Sequence, residues 1–534
     1  MKLTDSDLKL SSKNNSSTNM QNIELTSDMI RNDSIKEKAL LNEKQDFEDP
    51  LVKNSKVAPQ RFSSLLRQSV AVSGPLLATV CSGLTTGYSA ILLPQLKHEN
   101  STIPITEDEG SWIASMAALP MAFGCLIGGA LMDRFGRKIA QILICINFFI
   151  GWCLLSTATS IIYLLIGRFV TGLSTGALGA PASVYIAECT SPKYRGLFLA
   201  MISFSISLGI LIAHIIGTFF SWQLTAIICA TVPCMCIAIL YFAPESPSYL
   251  ASKNKFQIAE NSFLWLRGHS MEAKEELDEL INKYKRQVSH VELTKKQEAQ
   301  VTSSSSNNKL TFFQQLTKFY FWKPFLIMNL FFAITQWSGV NAVAFYSVNI
   351  IQDTLGDNFN SYLAMAIIDI TRLIMSVIAC VLLKKYPRRF LAIISSILTA
   401  IILIFLSVFI YFVDIKKTAG FEYIPLVSLV LYICFISVGL VPLPWVMIGE
   451  VFPSAVRSAG TGLTSCMCFV YFFLVVKTAP YLFFRLGSAQ AYGIYGLVAL
   501  FGCFVLYAFL PETKDKTLED IETKMKGRKK RNDV

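Results

Sequence analysis

Long apolar stretches separated by short polar ones fill the chain from about residue 70 to residue 510. Each is long enough to supply the roughly 20 residues that a helix needs to cross a bilayer. Because a bilayer offers no water to bond the backbone, spanning segments of this kind are predicted to be helical. About twelve such windows meet this length, near 70–93, 110–132, 139–158, 162–187, 197–219, 222–243, 323–352, 361–383, 390–413, 424–449, 459–483 and 491–510.

Composition agrees with this prediction of an all-α membrane protein. Hydrophobic residues make up 53% of the chain and charged residues only 16%, with a mean hydropathy of +0.47, whereas a soluble domain is nearer a quarter charged. Residues 1–69 are polar and contain no apolar run that could act as a signal peptide, so they are predicted to form a disordered tail.

Basic residues of the short loops are concentrated on one side of the predicted spans. That side carries Arg134, Arg137, Lys138, Lys193, Arg195, Lys384, Lys385, Arg388, Arg389 and Arg457, and the other carries Lys97, Lys416, Lys417 and Arg485. The positive-inside rule therefore predicts cytosolic N- and C-termini. The net charge of +11 is interpreted as topology and attraction to anionic lipid, not as nucleic-acid binding.

Matching loops recur in the same order in the two parts of the chain. The pairs are Asp133–Lys138 with Lys384–Arg389, Glu188 and Arg195 with Glu450 and Arg457, and Pro244–Ser246 with Pro511–Thr513. Three matched pairs indicate a duplicated six-helix unit, and such repeats place the substrate site at the bilayer midplane between the halves. The predicted organisation is a tail at 1–69, a six-helix half at 70–243, a cytosolic connector at 244–321, a second half at 322–510 and a basic cytosolic tail at 511–534.

The acids in these loops suggest a gate. Glu188 and Glu450 end helices at the predicted cytosolic face, while Arg195 and Arg457 begin the next ones. Charge-assisted hydrogen bonds among these residues and the Asp133 to Arg137 turn could hold that face closed and then break. The basic residues could instead serve only to fix topology, although topology alone does not require the acids.

Seven motifs in order resemble the sugar porter family of the major facilitator superfamily, which includes the facilitative glucose transporters. They are Asp133–Lys138, Gly167–Phe169, the Glu188 to Arg195 loop, Pro244–Pro247, Gln336–Asn341, Pro442–Trp445 and Pro511–Lys514. Ile105–Glu107, Gly110–Ile113 and Lys477–Thr478 are similar to the insect facilitated trehalose transporter group. The resemblance covers about residues 70 to 519 and adds Arg134, Arg168 and Glu245 to the expected gating residues.

The resemblance also implies a sugar site near the bilayer midplane. Gln336 and Asn341 match family amides of span 7, and Trp445 matches a tryptophan of span 10. A tryptophan ring stacks on sugar C–H faces while amides bond the hydroxyls. Gln336 and Asn341 lie about 140° apart on a regular helix, so they share one side only if the helix is irregular.

Other positions depart from the family pattern. Ser203 and Thr335 stand where typical glucose porters have glutamine, Cys468 replaces an asparagine, and Arg372 replaces the asparagine of span 8. Asp369 precedes Arg372 by one turn, which predicts that the two neutralise each other in the cavity, although they could merely steady the helix bundle. His214 and Lys477 are further polar residues within spans, with functional and structural roles equally open.

The expected function is facilitative transport of a neutral sugar, trehalose or a hexose, by a monomer in the plasma membrane. Proton-coupled symport is the main alternative. Ser89, which cannot titrate, follows Gly87–Tyr88 where coupled relatives have an aspartate, although a buried Asp369 could carry the proton instead, against the opposing effect of Arg372. A transporter-like nutrient receptor is a second alternative. No nucleotide loop, nucleophile with a base or metal set is recognisable, so neither an enzyme nor a cofactor is expected. Asn100 begins an N-glycosylation sequon in the first outer loop.

Overall fold

A computed structural model describes residues 60–98, 101–300, 319–355, 360–412, 423–452, 457–514 and 516. The described residues from 61 onwards belong to one compact unit, and they form helices and no strand, as predicted for an all-α protein. Eleven helices or helix pairs are long and apolar enough to cross a membrane. The seventh span is broken into shorter helices, so its position completes the predicted set of twelve.

The first six spans are formed by helices of 9 to 38 residues, with the second span split in two. In order they are Gln60–Lys97, Glu107–Ser115 with Leu119–Phe135, Arg137–Ser156, Ile161–Cys189, Pro192–Phe219 and Trp222–Phe242. Three connector helices follow at Pro247–Ser252, Phe256–Arg267 and Met271–Gln300. We call the end of the bundle that carries these helices the connector face and the other end the opposite face.

The second six spans repeat this order with breaks in two of them. Span 7 consists of Phe319–Trp337, Val340–Phe345 and Ser347–Leu355, and span 10 of Tyr423–Val438 and Pro442–Val451. Spans 8, 9, 11 and 12 are Ser361–Lys385, Arg388–Phe412, Arg457–Pro480 with a π-helical turn at Tyr481–Leu486, and Ser488–Phe509. Pro442 and Pro444 stand at the second break, where proline interrupts the helical hydrogen bonds.

The helix of span 1 begins at Gln60, earlier than the predicted start at residue 70. Its first turns are polar because they contact other parts of the protein. Ser64 Oγ donates a hydrogen bond to the Leu266 carbonyl at 3.2 Å, and the Gln68 side chain accepts one from the Ser191 N–H at 2.9 Å. Hydropathy alone therefore marks the apolar part of this helix and misses its polar start.

Spans 1 and 5 approach closely because glycines face each other. A Cβ atom on Gly209 would lie 2.3 Å from the Val80 carbonyl oxygen, and one on Gly83 would lie 2.1 Å from the Ile206 carbonyl oxygen. Any side chain there would push the helices apart. This packing fixes span 5, which in turn contacts span 8 of the other half.

Candidate functional site

The amides of Gln336 and Asn341 meet at the break in span 7. The helix ends at Trp337 and restarts at Val340, and Gly339 between them has φ +87°. Asn341 Nδ2 donates to Gln336 Oε1, and Gln336 Nε2 donates to the Cys468 thiol of span 11 at 3.4 Å. The structure thus contains the irregularity that the two amides need to share one side.

Trp445 lies in the helix that follows the break in span 10 and packs against spans 7 and 11, which carry the amides and Cys468. Its ring centroid is 5.0 Å from that of Phe332 in span 7 and 6.1 Å from that of Phe469 in span 11. About half of the Trp445 side chain remains exposed, at 47%. An aromatic face that is held by two other rings yet partly uncovered is suited to stack on a sugar ring.

Thr335 and Ser203 have different surroundings. Thr335 is buried, and its hydroxyl lies 3.0 Å from the Phe331 carbonyl and 2.8 Å from the Leu440 carbonyl at the break in span 10. Its hydrogen bonding therefore joins spans 7 and 10. Ser203 is exposed on span 5, about 20° round the helix and three turns from His214.

Asp369 of span 8 is buried between two basic side chains. Asp369 Oδ2 bonds His214 Nδ1 of span 5, and Asp369 Oδ1 lies 3.8 Å from Arg372 Nη1. His214 and Asp369 are almost fully buried, and Arg372 is largely so. The expected Asp369 to Arg372 pair is present, but the closest partner of Asp369 is the imidazole, which comes from the other half of the molecule.

Arg168 of span 4 is fully buried against span 1. Its Nη1 donates to the Thr85 carbonyl at 2.9 Å, its Nη2 bonds the Ser89 hydroxyl, and its guanidinium lies 5.9 Å from the Tyr88 ring centroid. Neutral oxygens and an aromatic face hold the cation here. Arg168, expected from the resemblance to act in gating, therefore lies at a contact between spans 4 and 1.

At the connector face, a cluster of polar contacts joins spans 3 and 4 to the segment after span 6. Arg137 Nε and Nη2 lie 3.0 Å from the two Glu188 carboxylate oxygens, and Ser246 Oγ bonds the same carboxylate. Glu245 accepts the backbone N–H groups of Arg137 and Lys138, both at 3.1 Å, and so caps the start of span 3. Burial raises the pKa of the Glu245 carboxyl, while these N–H groups oppose that rise.

The second half repeats this arrangement. Arg388 Nη1 contacts Glu450 and also donates to Thr513 Oγ1 at 2.9 Å. Glu512 accepts the backbone N–H groups of Arg388 and Arg389 at 3.1 and 3.0 Å, capping span 9. Burial tends to raise the pKa of Glu512, but the backbone N–H groups outweigh it and the pKa is lowered. These two ion pairs each lie within one half.

The remaining expected gating residues are less fully defined. Asp133 and Arg134 are exposed, and the Arg134 carbonyl accepts the Tyr249 hydroxyl at 3.2 Å. Arg195 has a buried Nε without a hydrogen-bond partner in the described part of the protein. The Arg457 side chain and Asn100 lie outside the described residues.

Contacts between the halves are prominent near the opposite face. Lys477 of span 11 donates to the Ser111 hydroxyl of span 2, and its ammonium lies 4.0 Å from the Trp112 ring centroid. The Trp112 ring is also 6.4 Å from that of Phe473. A cation over an indole face is the most favourable geometry of its kind.

The sequence marks His214 and Lys477 as polar residues within spans, but it does not identify Asp369 and Ser111 as their partners. A lone basic side chain in an apolar span indicates that a partner exists, but its identity depends on how distant helices pack. Within the described ranges, no group of His, Cys, Asp and Glu is arranged to hold a metal ion.

The chain matches the family model described as "Sugar (and other) transporter" over residues 70–525, so it belongs to this family of membrane transporters. It is 29% identical over 482 residues to a facilitated trehalose transporter of Apis mellifera ligustica, covering 89% of this chain and 91% of that protein. It is also 29% identical over 480 residues to a facilitated trehalose transporter of Culex quinquefasciatus, covering 89% and 88% respectively.

Solved structures of the xylose transporter XylE share the fold. The proton:xylose symporter bound to 6-bromo-6-deoxy-D-glucose superposes with a TM-score of 0.66 at 21% identity, covering 86% of this chain and all of the other. A partially occluded inward-open conformation from E. coli gives 0.67 at 19% identity, covering 85% and 100%. These neighbours confirm the predicted major facilitator fold with two six-helix halves.

Proposed function

We propose that this chain carries a small neutral sugar, trehalose or a hexose, across the plasma membrane by alternating access and as a monomer. The observation that carries the proposal is the pair of amides, Gln336 and Asn341, at the break in span 7, together with Trp445 of span 10, whose ring packs on Phe332 of the same span 7. Two amides with an exposed indole match the hydroxyls and C–H faces of a sugar. Family membership and the trehalose transporters among its relatives support this substrate class.

The connector face is cytosolic in this proposal, in line with its basic loops. The two ion pairs described at that face, Arg137 with Glu188 and Arg388 with Glu450, each lie within one half, whereas Lys477 joins the halves near the opposite face. We infer a conformation that is closed towards the outside. Opening the outer side requires the Lys477 contacts to break, and pairing between the two halves at the connector face would then stabilise the closed inner gate.

Transport is proposed to be facilitative because the Arg168 guanidinium meets the Ser89 hydroxyl in span 1. A hydroxyl there cannot take up and release a proton at physiological pH. Proton-coupled symport remains the rival outcome, and it predicts accumulation of sugar against its gradient.

The decisive experiment is uptake by the full chain reconstituted in liposomes. Labelled trehalose, glucose and an organic anion are compared, with and without a pH gradient. We expect saturable exchange of one of the sugars, no accumulation above equilibrium and no transport of the anion. Accumulation driven by the gradient would replace uniport with symport, and failure to move any sugar would overturn the proposed substrate class.

A matched pair of variants tests the site itself. Trp445→Ala should raise KM by roughly three- to tenfold, since aromatic stacking contributes about 0.5 to 1.5 kcal/mol. Trp322→Ala removes a tryptophan of similar exposure at the start of span 7 and should leave KM unchanged. Equal effects of the two substitutions would contradict a role for Trp445 in binding.

A further inference from the structure

The contact between His214 and Asp369 is a buried hydrogen bond between the two halves of the molecule. His214 is 1% exposed and Asp369 is 2% exposed. His214 lies in the last turns of span 5 and Asp369 in the first turns of span 8, so both are nearer the opposite face. This contact therefore lies on the same side of the membrane as Lys477 and its partners.

The charges around this hydrogen bond balance only when the imidazole is neutral. Asp369 already has a cation, because Arg372 Nη1 lies 3.8 Å from its second oxygen. A neutral imidazole can donate its Nδ1–H to the carboxylate, which leaves a lone pair on Nε2. A protonated imidazole would add a second cation beside one carboxylate, in a place that water does not reach.

The second ring nitrogen, His214 Nε2, also disfavours a protonated imidazole in this contact. It is buried and has no hydrogen-bond partner among the described residues. If a proton were bound there, the contact would bury an N–H group without an acceptor as well as an unbalanced charge. The proton and the closed contact therefore oppose each other.

The described parts of the surrounding elements supply no second carboxylate that could balance the charge of a protonated His214. Residues 70–96 of span 1 and 222–242 of span 6 contain no acidic or basic residue. Arg168 of span 4 is bonded to Thr85 and Ser89. Span 10 presents Tyr432, which interacts electrostatically with Arg372, and Asp353, next to span 8, bonds Ser488.

We propose that His214 is a proton-binding site that is filled when spans 5 and 8 separate towards the outside and emptied before they close. The proton comes from outside water, binds the Nε2 lone pair, and returns to outside water before Nδ1–H meets Asp369. It is not carried across. External acid therefore holds the transporter open to the outside and slows each cycle. This inference rests on the proposed alternating access.

The first test is exchange of labelled trehalose and glucose by the full chain in liposomes, with equal pH on both sides. Exchange by the unmodified protein should fall several-fold when the pH on both sides is lowered from 7.5 to 5.5, because a proton on His214 opposes closure of its contact with Asp369. His214→Asn keeps an N–H donor near the position of Nδ1 but cannot bind a proton, so its profile should be flat. His269→Gln, an exposed histidine of the connector, should keep the original profile.

Arg372→Asn gives the sharpest outcome. With that cation removed, a protonated imidazole would balance Asp369, so acid should now favour the contact. The pH dependence of Arg372→Asn should reverse in sign, and it should be lost again when His214→Asn is added. A falling profile in Arg372→Asn, or the same profile in His214→Asn as in the unmodified protein, would overturn the proposal.

A measurement without sugar separates this proposal from the proposed function. In detergent, the midpoint of thermal unfolding should fall on acidification more in the unmodified protein than in His214→Asn, and the sign should reverse in Arg372→Asn. If no sugar is exchanged but these shifts appear, the proton site stands and the substrate proposal fails. If sugar is exchanged and the unfolding profiles of the three proteins are the same, the proton site is refuted.

Discussion

Asp369 has two basic partners that differ in what they can do when the other is lost. Arg372 carries a permanent charge, whereas His214 can be neutral or charged. Helical spacing is enough to predict the Arg372 pairing, because residues three apart share a face. The His214 contact could not be predicted, since it depends on how spans 5 and 8 pack across the two halves.

Because His214 can change its charge and Arg372 cannot, single substitutions of Asp369 and Arg372 should destabilise the protein by different amounts. Asp369→Asn leaves Arg372 without a countercharge and should destabilise the protein by about 3 to 5 kcal/mol. Arg372→Asn should be milder, because His214 can take up a proton and balance Asp369. The double variant should recover most of the stability, since neither buried charge remains. Thermal unfolding in detergent measures the stability of the three variants and thus tests this order.

Sugar exchange, measured at equal protein amount, is a second measurement on the same three variants. The double variant should transport better than Asp369→Asn alone. If the two single substitutions reduced sugar exchange equally and their effects added in the double variant, Asp369 and Arg372 would not be coupled. The pair would then have no role in transport.

The break in span 7 is the element that brings the residues of the proposed sugar site together. The Gln336–Asn341 motif and the requirement for an irregular helix could be recognised in the sequence, because a regular helix would turn the two amides apart. The use of the Thr335 hydroxyl could not be recognised. It contacts the Leu440 carbonyl, which is freed by the break in span 10, and that geometry exists only after folding.

Gly339→Ala tests the break. At φ +87°, a Cβ atom would cost roughly 1 to 2 kcal/mol of backbone strain and would lie 2.6 Å from the Tyr495 ring. We expect a lower unfolding temperature and a higher KM for sugar, because the amides would lose their alignment. Gly462→Ala in span 11 is the matched control, since a Cβ atom there meets nothing within 4 Å. Similar KM changes in both variants would exclude a specific role for the break.

At the scale of the whole molecule, the twelve spans and the duplicated loops could be predicted because each depends on a short stretch of sequence, an apolar run or a loop motif. The matched loops have a shared purpose in the structure. Glu245 and Glu512 cap the starts of spans 3 and 9, so each half is tied at the connector face by its own carboxylate. Such ties favour motion of each half as one body.

The gate proposed at the connector face predicts a transport defect without a folding defect. Glu188→Gln keeps the size of the side chain but loses the charge that faces Arg137. Exchange should slow by roughly tenfold, since a hydrogen bond to a charged group contributes about 1.5 to 3 kcal/mol. Surface labelling should show normal delivery. Glu260→Gln, at an exposed connector position, is the control, and unchanged exchange by Glu188→Gln would refute the gating role.

Topology predicts one modification. Asn100 lies in the loop after span 1, which faces outside if the connector face is cytosolic. Protein from insect or mammalian cells should gain gel mobility on glycosidase treatment, and Asn100→Gln should match the treated form. No mobility change on glycosidase treatment would count against this site and, with it, the assigned orientation.

The buried Arg168 also has a consequence for how the protein is made. A basic residue in a spanning helix costs free energy on insertion into a membrane, up to about 2.5 to 3.5 kcal/mol at the helix centre, and Arg168 lies in the third turn of Ile161–Cys189. Span 4 leaves the ribosome with this cost, and its partners Thr85 and Ser89 lie in span 1, which has been synthesised earlier. We therefore expect span 4 to insert more readily when span 1 is present to bond Arg168 than when span 4 is expressed without it.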